Sequence, residues 1–133
     1  MIAVDTNVLV RLLTEDDPKQ AAQARSLFIA EVVWISKTVL LETQWVLHSL
    51  YGFQDSAIAV AFGRLIGLRN VQVEDEQSLA AALALTRHGI EFADAMHLSS
   101  RPPDAVFVSF DRSLIRRAKR AGISGISGVA ARE

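Results

Sequence analysis

The stretch MIAVDTNVLVR, residues 1–11, decides how the rest of the chain is read. Ile2-Ala3-Val4 is a short apolar run, rich in strand formers and too brief for a helix. It stops at Asp5, and Thr6 and Asn7 follow. Val8, Leu9, Leu12 and Leu13 then return at helical spacing. These residues predict a buried strand, an abrupt turn and a helix. In open parallel sheets, ligands bind beyond the carboxyl ends of the strands. Asp5 stands at such an end, with no loop to carry it away. A carboxylate there either serves a site or caps the helix behind it, a task that Asp and Thr both perform well. Asp5 alone leaves both readings open.

The same alternation continues. Asp17-Pro18 opens a helix over residues 18–30, with Asp17 as cap and Pro18 in the first turn. The acids Glu15, Asp16 and Asp17 read as helix-start acids favoured by the macrodipole, not as a metal cluster. Val32-Val33-Trp34-Ile35 is a second β-branched run and reads as a buried strand. A long helix follows from about residue 39 to residue 51. Within it Glu42 stands among apolar neighbours, where an unpaired acid is rare. Asp55 reads as the cap of a helix over residues 56–68 whose apolar residues exceed one stripe, which predicts burial on two sides or a partner surface. Val71-Gln72-Val73 is a short strand. Glu74-Asp75-Glu76 reads as capping for an alanine-rich helix, which ends at Gly89.

Asp94 and His97 share a face of the next helix, at positions i and i+3. Asp94 falls in the first turn, where a carboxylate is favoured by the exposed amides. His97 reads as a packed, surface or supporting residue. Residues 101–104 form a short Pro-rich turn, residues 105–109 a buried strand, and residues 112–121 a basic helix. Asp111 repeats the situation of Asp5: an acid just past a strand and just before a helix. Residues 123–126 read as a last edge strand.

With 133 residues, half of them hydrophobic and 22% charged, the chain is long and apolar enough for one packed domain over residues 1–133. It has no cysteine, so a metal would be held by oxygen or imidazole. No apolar run is long enough to span a membrane, and the opening residues lack the pattern of a secretory signal, so a cytoplasmic location is expected. The net charge of −1 does not point to a polyanion. Its distribution is more telling, because the last third gathers a basic cluster while the first hundred residues are net acidic.

Strand–helix alternation predicts an α/β fold, a parallel sheet with helices on both faces. Asp5, Glu42, Asp94 and Asp111 all fall near strand ends or helix starts, the places that converge on one crevice in such a sheet. Four carboxylates sharing a pocket raise one another's pKa, and a divalent cation resolves that conflict. Hard oxygen ligands select Mg²⁺ or Mn²⁺. The chain has no Ser-His-Asp set, no CxxC and no phosphate-binding loop of the GxxxxGK[ST] type. Metal-assisted phosphodiester hydrolysis is the chemistry that fits these residues.

Val4-Asp5-Thr6-Asn7-Val8-Leu9, Thr38-Val39-Leu40-Leu41-Glu42, Phe92-Ala93-Asp94-Ala95-Met96-His97-Leu98 and Val108-Ser109-Phe110-Asp111 together resemble the PIN-domain nucleases. More closely, they resemble the VapC-type toxin ribonucleases of type II toxin–antitoxin systems. The resemblance runs in order over nearly the whole chain. It implies a three-layer α/β/α sandwich with a parallel sheet of four to five strands. It implies a metal-dependent endoribonuclease that hydrolyses RNA phosphodiester bonds by metal-activated water. Asp5, Glu42, Asp94 and Asp111 would hold one or two Mg²⁺ or Mn²⁺ ions. Asp5 and Asp94 would be the central ligands, and Glu42 would orient a metal-bound water. Thr6 and Ser109 would position Asp5 or the scissile phosphate, and Asn7 would brace the strand–helix turn. Arg112, Arg116 and Arg117 would contact the RNA backbone, with salt-sensitive binding. The Pro-rich segment before the last strand departs from the family pattern.

The resemblance also implies a homodimer and a cognate antitoxin. Trp34, Trp45 and the helix over residues 56–68 offer more apolar surface than one small domain needs to bury. An antitoxin helix lying in a groove, with a basic side chain reaching the carboxylates, would inhibit by occlusion and by charge. Two rivals belong to other classes. A phospho-acceptor signalling domain needs an acid beside Asp5 and a Lys at a late strand end, and Lys119 lies in a helix instead. A catalytically silent PIN-like binding scaffold has no need of all four acids.

Overall fold

Ile2 and Ala3 pair in parallel with Val33 and Trp34, and Val33, Trp34 and Ile35 pair in parallel with Val71, Gln72 and Val73. Parallel neighbours need long crossovers, and the residues between these strands supply them as helices. The structure, a computed structural model, describes residues 1–132. They divide into two units, Met1–Glu76 and the residues from Gln77 onward. In the first unit the order is β1 (Ile2–Ala3), α1 (Thr6–Thr14), α2 (Pro18–Ala30), β2 (Val33–Ile35), α3 (Lys37–Ser49), α4 (Asp55–Ile66) and β3 (Val71–Val73). The sheet order is β1-β2-β3. Leu9, Ala21, Val33, Ile35, Leu40 and Phe62 are wholly buried in its core.

Helix starts in this unit follow from the sequence. Asp5 caps α1, its Oδ1 accepting from the Val8 amide at 3.2 Å. Asp17 caps α2 through the Gln20 amide at 3.1 Å, with Pro18 in the first turn. Ser36 caps α3 through the Val39 amide at 3.2 Å.

Other acids differ from their expected duties. Glu15 pairs with Arg25 at 2.6 Å. Asp16 accepts from Arg11 at 3.0 Å and from the Tyr51 hydroxyl at 2.6 Å. Arg11 also donates to Gln20 at 2.7 Å. This clasp joins the end of α1 to the start of α2 and the turn after α3. Asp55 is the first residue of α4, and the cap position is Gln54. Its Oδ1 instead accepts from Gln44 at 3.2 Å and lies 3.0 Å from His48 Nδ1, tying α4 to α3. Glu74 and Asp75 reach back to an earlier helix. Glu74 accepts from the Lys37 amide at 3.0 Å, and Asp75 pairs with the Lys37 ammonium at 2.8 Å, so both serve the start of α3. The excess apolar residues of α4 do not give two buried faces. Ile58, Phe62 and Leu65 form one buried stripe, and Val60 faces out.

The second unit contains α5 (Glu76–Thr86, its first residue in the other unit), α6 (Phe92–Ser100), β4 (Phe107–Ser109), α7 (Arg112–Arg120), β5 (Ile126–Gly128) and a 3₁₀ turn, Ala130–Arg132. β4 and β5 pair in parallel, with Phe107 opposite Ile126 and Ser109 opposite Gly128, and α7 is their crossover. β5 begins where the expected edge strand ends. The residues before it form a turn with Gly125 at φ +68°. Arg101 holds that turn, donating to the carbonyls of Ala105 (2.8 Å), Ser124 (2.8 Å) and Gly125 (2.6 Å). β4 is shorter and less buried than expected, since Val106 and Val108 are both exposed. The Ser78 hydroxyl donates to the Ser99 carbonyl at 2.9 Å, linking α5 to α6.

The chain thus has the expected mixed α/β class with parallel strands. Those strands are distributed three to the first unit and two to the second. Among the described residues, no helix is long and apolar enough to cross a membrane.

Candidate functional site

In the first unit the residue that follows the strand-end acid bonds the helix acid. Asp5 follows β1 in extended conformation (φ −93°, ψ 179°) and is exposed. Thr6, the first residue of α1, is buried, and its hydroxyl donates to Glu42 Oε1 on α3. Glu42 is therefore an acid on the open side of a helix whose Leu40 and Thr43 are wholly buried. That resolves its odd neighbourhood in the sequence, because helical geometry turns consecutive residues about 100° apart. Asp5 spends Oδ1 on its cap and Glu42 spends Oε1 on Thr6, which leaves the second oxygen of each carboxylate for a ligand. Asn7 lines a groove between α1 and α2, together with Val8, Arg11, Gln20, Ala24 and Leu27. The strand–helix turn is held by the Asp5 cap and by Thr6.

In the second unit Asp94 lies in the first turn of α6 and is half-buried, and His97 one turn on is exposed. Asp111 caps α7, accepting from the Leu114 amide at 3.0 Å. The Ser109 hydroxyl accepts from the Asp111 amide at 2.9 Å, so Ser109 holds the backbone that presents Asp111. Asp111 thus repeats Asp5 in detail: strand, acid, capped helix. Arg117 donates to the Gly89 carbonyl at 2.8 Å and braces α7 against the preceding turn. Arg112 and Arg116 are exposed, on the side of α7 opposite the buried Leu114 and Ala118.

The Tyr51 hydroxyl, with Thr14 and Arg11, holds the Asp16 carboxyl below its ordinary value of 3.8. The same Tyr51 and the charge of Asp16 raise Arg11.

Among the described residues, no group of three or more His, Cys, Asp or Glu side chains is placed to hold a metal ion by itself. The donor chemistry of Asp5 and Glu42 still fits Mg²⁺. That ion commonly takes one or two carboxylates and completes its shell with waters and substrate phosphates.

Sequence reasoning did not single out Arg101 or Phe110. Arg101 has no periodic signal, and Phe110, just past the strand expected over residues 105–109, leaves its ring 87% exposed. Nor did it single out Thr43, whose hydroxyl is buried beside Glu42 with no hydrogen-bond partner among the described residues.

A profile of the PIN domain family matches residues 2–120, which includes all four acids. Proteins of that family are in general nucleases, hydrolases that typically use divalent metal ions. No curated protein matches the chain.

Proposed function

The chain belongs to the PIN domain family, and from that premise we propose that residues 1–133 act as one metal-dependent endoribonuclease domain, the VapC-type toxin of a toxin–antitoxin pair. The observation that carries this reading is the linkage of Asp5, Thr6 and Glu42. An acid at the end of the first strand stands next to a hydroxyl that fixes a second acid. Asp5, Glu42, Asp94 and Asp111 would hold Mg²⁺ or Mn²⁺, directly or through water. When bound, the ion supplies charge to offset the phosphoryl oxygens and lowers the pKa of a water.

The chain's own groups do the positioning. Asp5 is fixed by the cap of α1 and Asp111 by the cap of α7 and by Ser109. Thr6 holds Glu42 by one oxygen, so the other can orient the attacking water and accept its proton. Arg112 and Arg116 would neutralise the substrate backbone, and Arg117 contributes by bracing α7. A cytoplasmic location, where RNA is made and used, goes with this reading.

Partners follow from exposed apolar surface. The groove between α1 and α2 begins within three residues of Asp5 and suits an antitoxin helix. Trp45, at 57% exposed, and Leu50, at 68%, offer surface for a second copy of the chain.

Cleavage of single-stranded RNA in Mg²⁺ or Mn²⁺ tests the reading against Asp5→Asn. Asn retains the capping acceptor, so the variant should fold as wild type and lose cleavage by about 100-fold or more. Equal cutting by both proteins, or by neither, overturns the proposal.

A further inference from the structure

Phe110 is the most exposed of the large hydrophobic side chains, at 87%. Leaving such a ring in water rather than burying it forgoes about 1.5–3 kcal/mol. Yet it is not on a loose loop. The Ser109 hydroxyl accepts from the Asp111 amide at 2.9 Å, and Asp111 caps α7 at 3.0 Å. The first bond closes across Phe110 and the second holds the helix start behind it, so the backbone that carries the ring is held. Immediately after it α7 begins, and its outer face carries Arg112, Arg116, Lys119 and Arg120, all exposed. The inner face is Leu114 and Ala118, with Arg117 turned to the Gly89 carbonyl. Arg112, Arg116 and Arg120 recur every fourth residue, so they stand about 6 Å apart along one line of the helix.

An open aromatic ring on a held backbone, followed by a row of cations, matches an unpaired base with its phosphate chain. Bases stack on aromatic rings whatever their sequence, while cations track the backbone. A folded protein partner would find the ring but would also have to desolvate four cations. A duplex hides its base faces. We infer that Phe110 is a stacking platform for one unpaired nucleotide of the substrate, and that the outer face of α7 carries the phosphates on one side of it. This rests on the nuclease reading above and narrows it to RNA with an unpaired base where it meets Phe110. It also makes Phe110 a residue that positions substrate beside Asp111.

Binding is measured in the Asp5→Asn background, so that the probe survives, with a short fluorescent oligouridylate. Phe110→Ala and Phe110→Leu should both weaken binding about tenfold, the loss typical of one stacked base. Phe110→Trp should retain it, with indole emission quenched on binding. A fully abasic oligomer of the same length, which keeps every phosphate, should lose as much affinity on the Phe110 protein and nothing further on Phe110→Ala. Equal affinity of Phe110→Ala, Phe110→Leu and the Phe110 protein overturns the inference. So does an abasic oligomer that binds as well as the intact one. If Phe110→Ala leaves RNA binding unchanged and abolishes self-association in sedimentation, the ring is a protein contact and the inference is likewise overturned. These results leave the nuclease reading standing wherever the otherwise unaltered chain still cuts RNA. A chain that neither binds nor cuts removes both.

Discussion

Replacing Asp5 by Asn keeps an oxygen acceptor for the Val8 amide and removes only the charge, whereas Asp5→Ala removes both. The cap is worth about 1 kcal/mol. Asp5→Ala should therefore lower the urea midpoint while Asp5→Asn leaves it near wild type, although both abolish cleavage. A matching loss of stability in Asp5→Asn would mean that the charge itself holds the fold. Thr6→Val preserves shape in a buried position and deletes the donor to Glu42. Cleavage should fall about 10- to 100-fold, as when a group that orients a ligand is lost, with the thermal midpoint little changed. Wild-type activity in Thr6→Val would free Glu42 from dependence on that hydroxyl. At this scale the sequence was partly legible. Asp5 and Asp111 are visible because each ends an apolar run directly before a helix. The Thr6–Glu42 contact is not, because it joins positions 36 residues apart and a hydroxyl meeting a carboxylate leaves no periodic trace.

The elements are held by contacts that look like something else in the sequence. The acids at residues 15–17 and 74–76 read as caps for the helices that follow them. Asp17 does that, Asp16 closes a clasp with Tyr51 and Arg11, and Glu74 and Asp75 also bond Lys37 at the start of α3. Local capping rules see only the next helix, so acids recruited by an earlier one escape them. The clasp also sets a pH dependence. Asp16 has its folded-state pKa lowered, chiefly by the Tyr51 hydroxyl. Its stabilisation is then fully present above the ordinary value of 3.8 and is lost as pH falls through the folded value. Tyr51→Phe should flatten the fall in thermal midpoint below about pH 4, by a small amount since the carboxylate is exposed. Parallel acid limbs for the two proteins would exclude the clasp as a source. In the second unit, Arg101 satisfies three carbonyls around the turn before β5. Arg101→Ala should cost about 2 kcal/mol in urea unfolding of the whole chain, and an unshifted midpoint would show that the turn holds without it. That turn is also why the last strand starts later than its apolar residues predict.

For the molecule as a whole, alternating apolar runs and helical patterns were enough to predict parallel strands joined by helices, because parallel pairing requires such crossovers. The short apolar runs revealed these strands but not their ends, since β1 and β4 are only two and three residues long and extend as far as their partners pair. Charge distribution adds a prediction at this scale. Arg112→Gln and Arg116→Gln should each reduce the salt dependence of RNA binding by about one counterion, and an unchanged slope would remove α7 from the interface. The central claim is that RNA cleavage by this chain depends on a dication held by its carboxylates. Its most direct test is the rate of RNA cleavage by metal-stripped protein as Mn²⁺ is added back, compared with Glu42→Gln and Asp94→Asn. The account predicts no cleavage without metal, saturable recovery in wild type, and curves for both variants that are displaced to higher Mn²⁺ or stay flat. Full activity in the stripped protein, or variants that follow the wild-type curve, would contradict it.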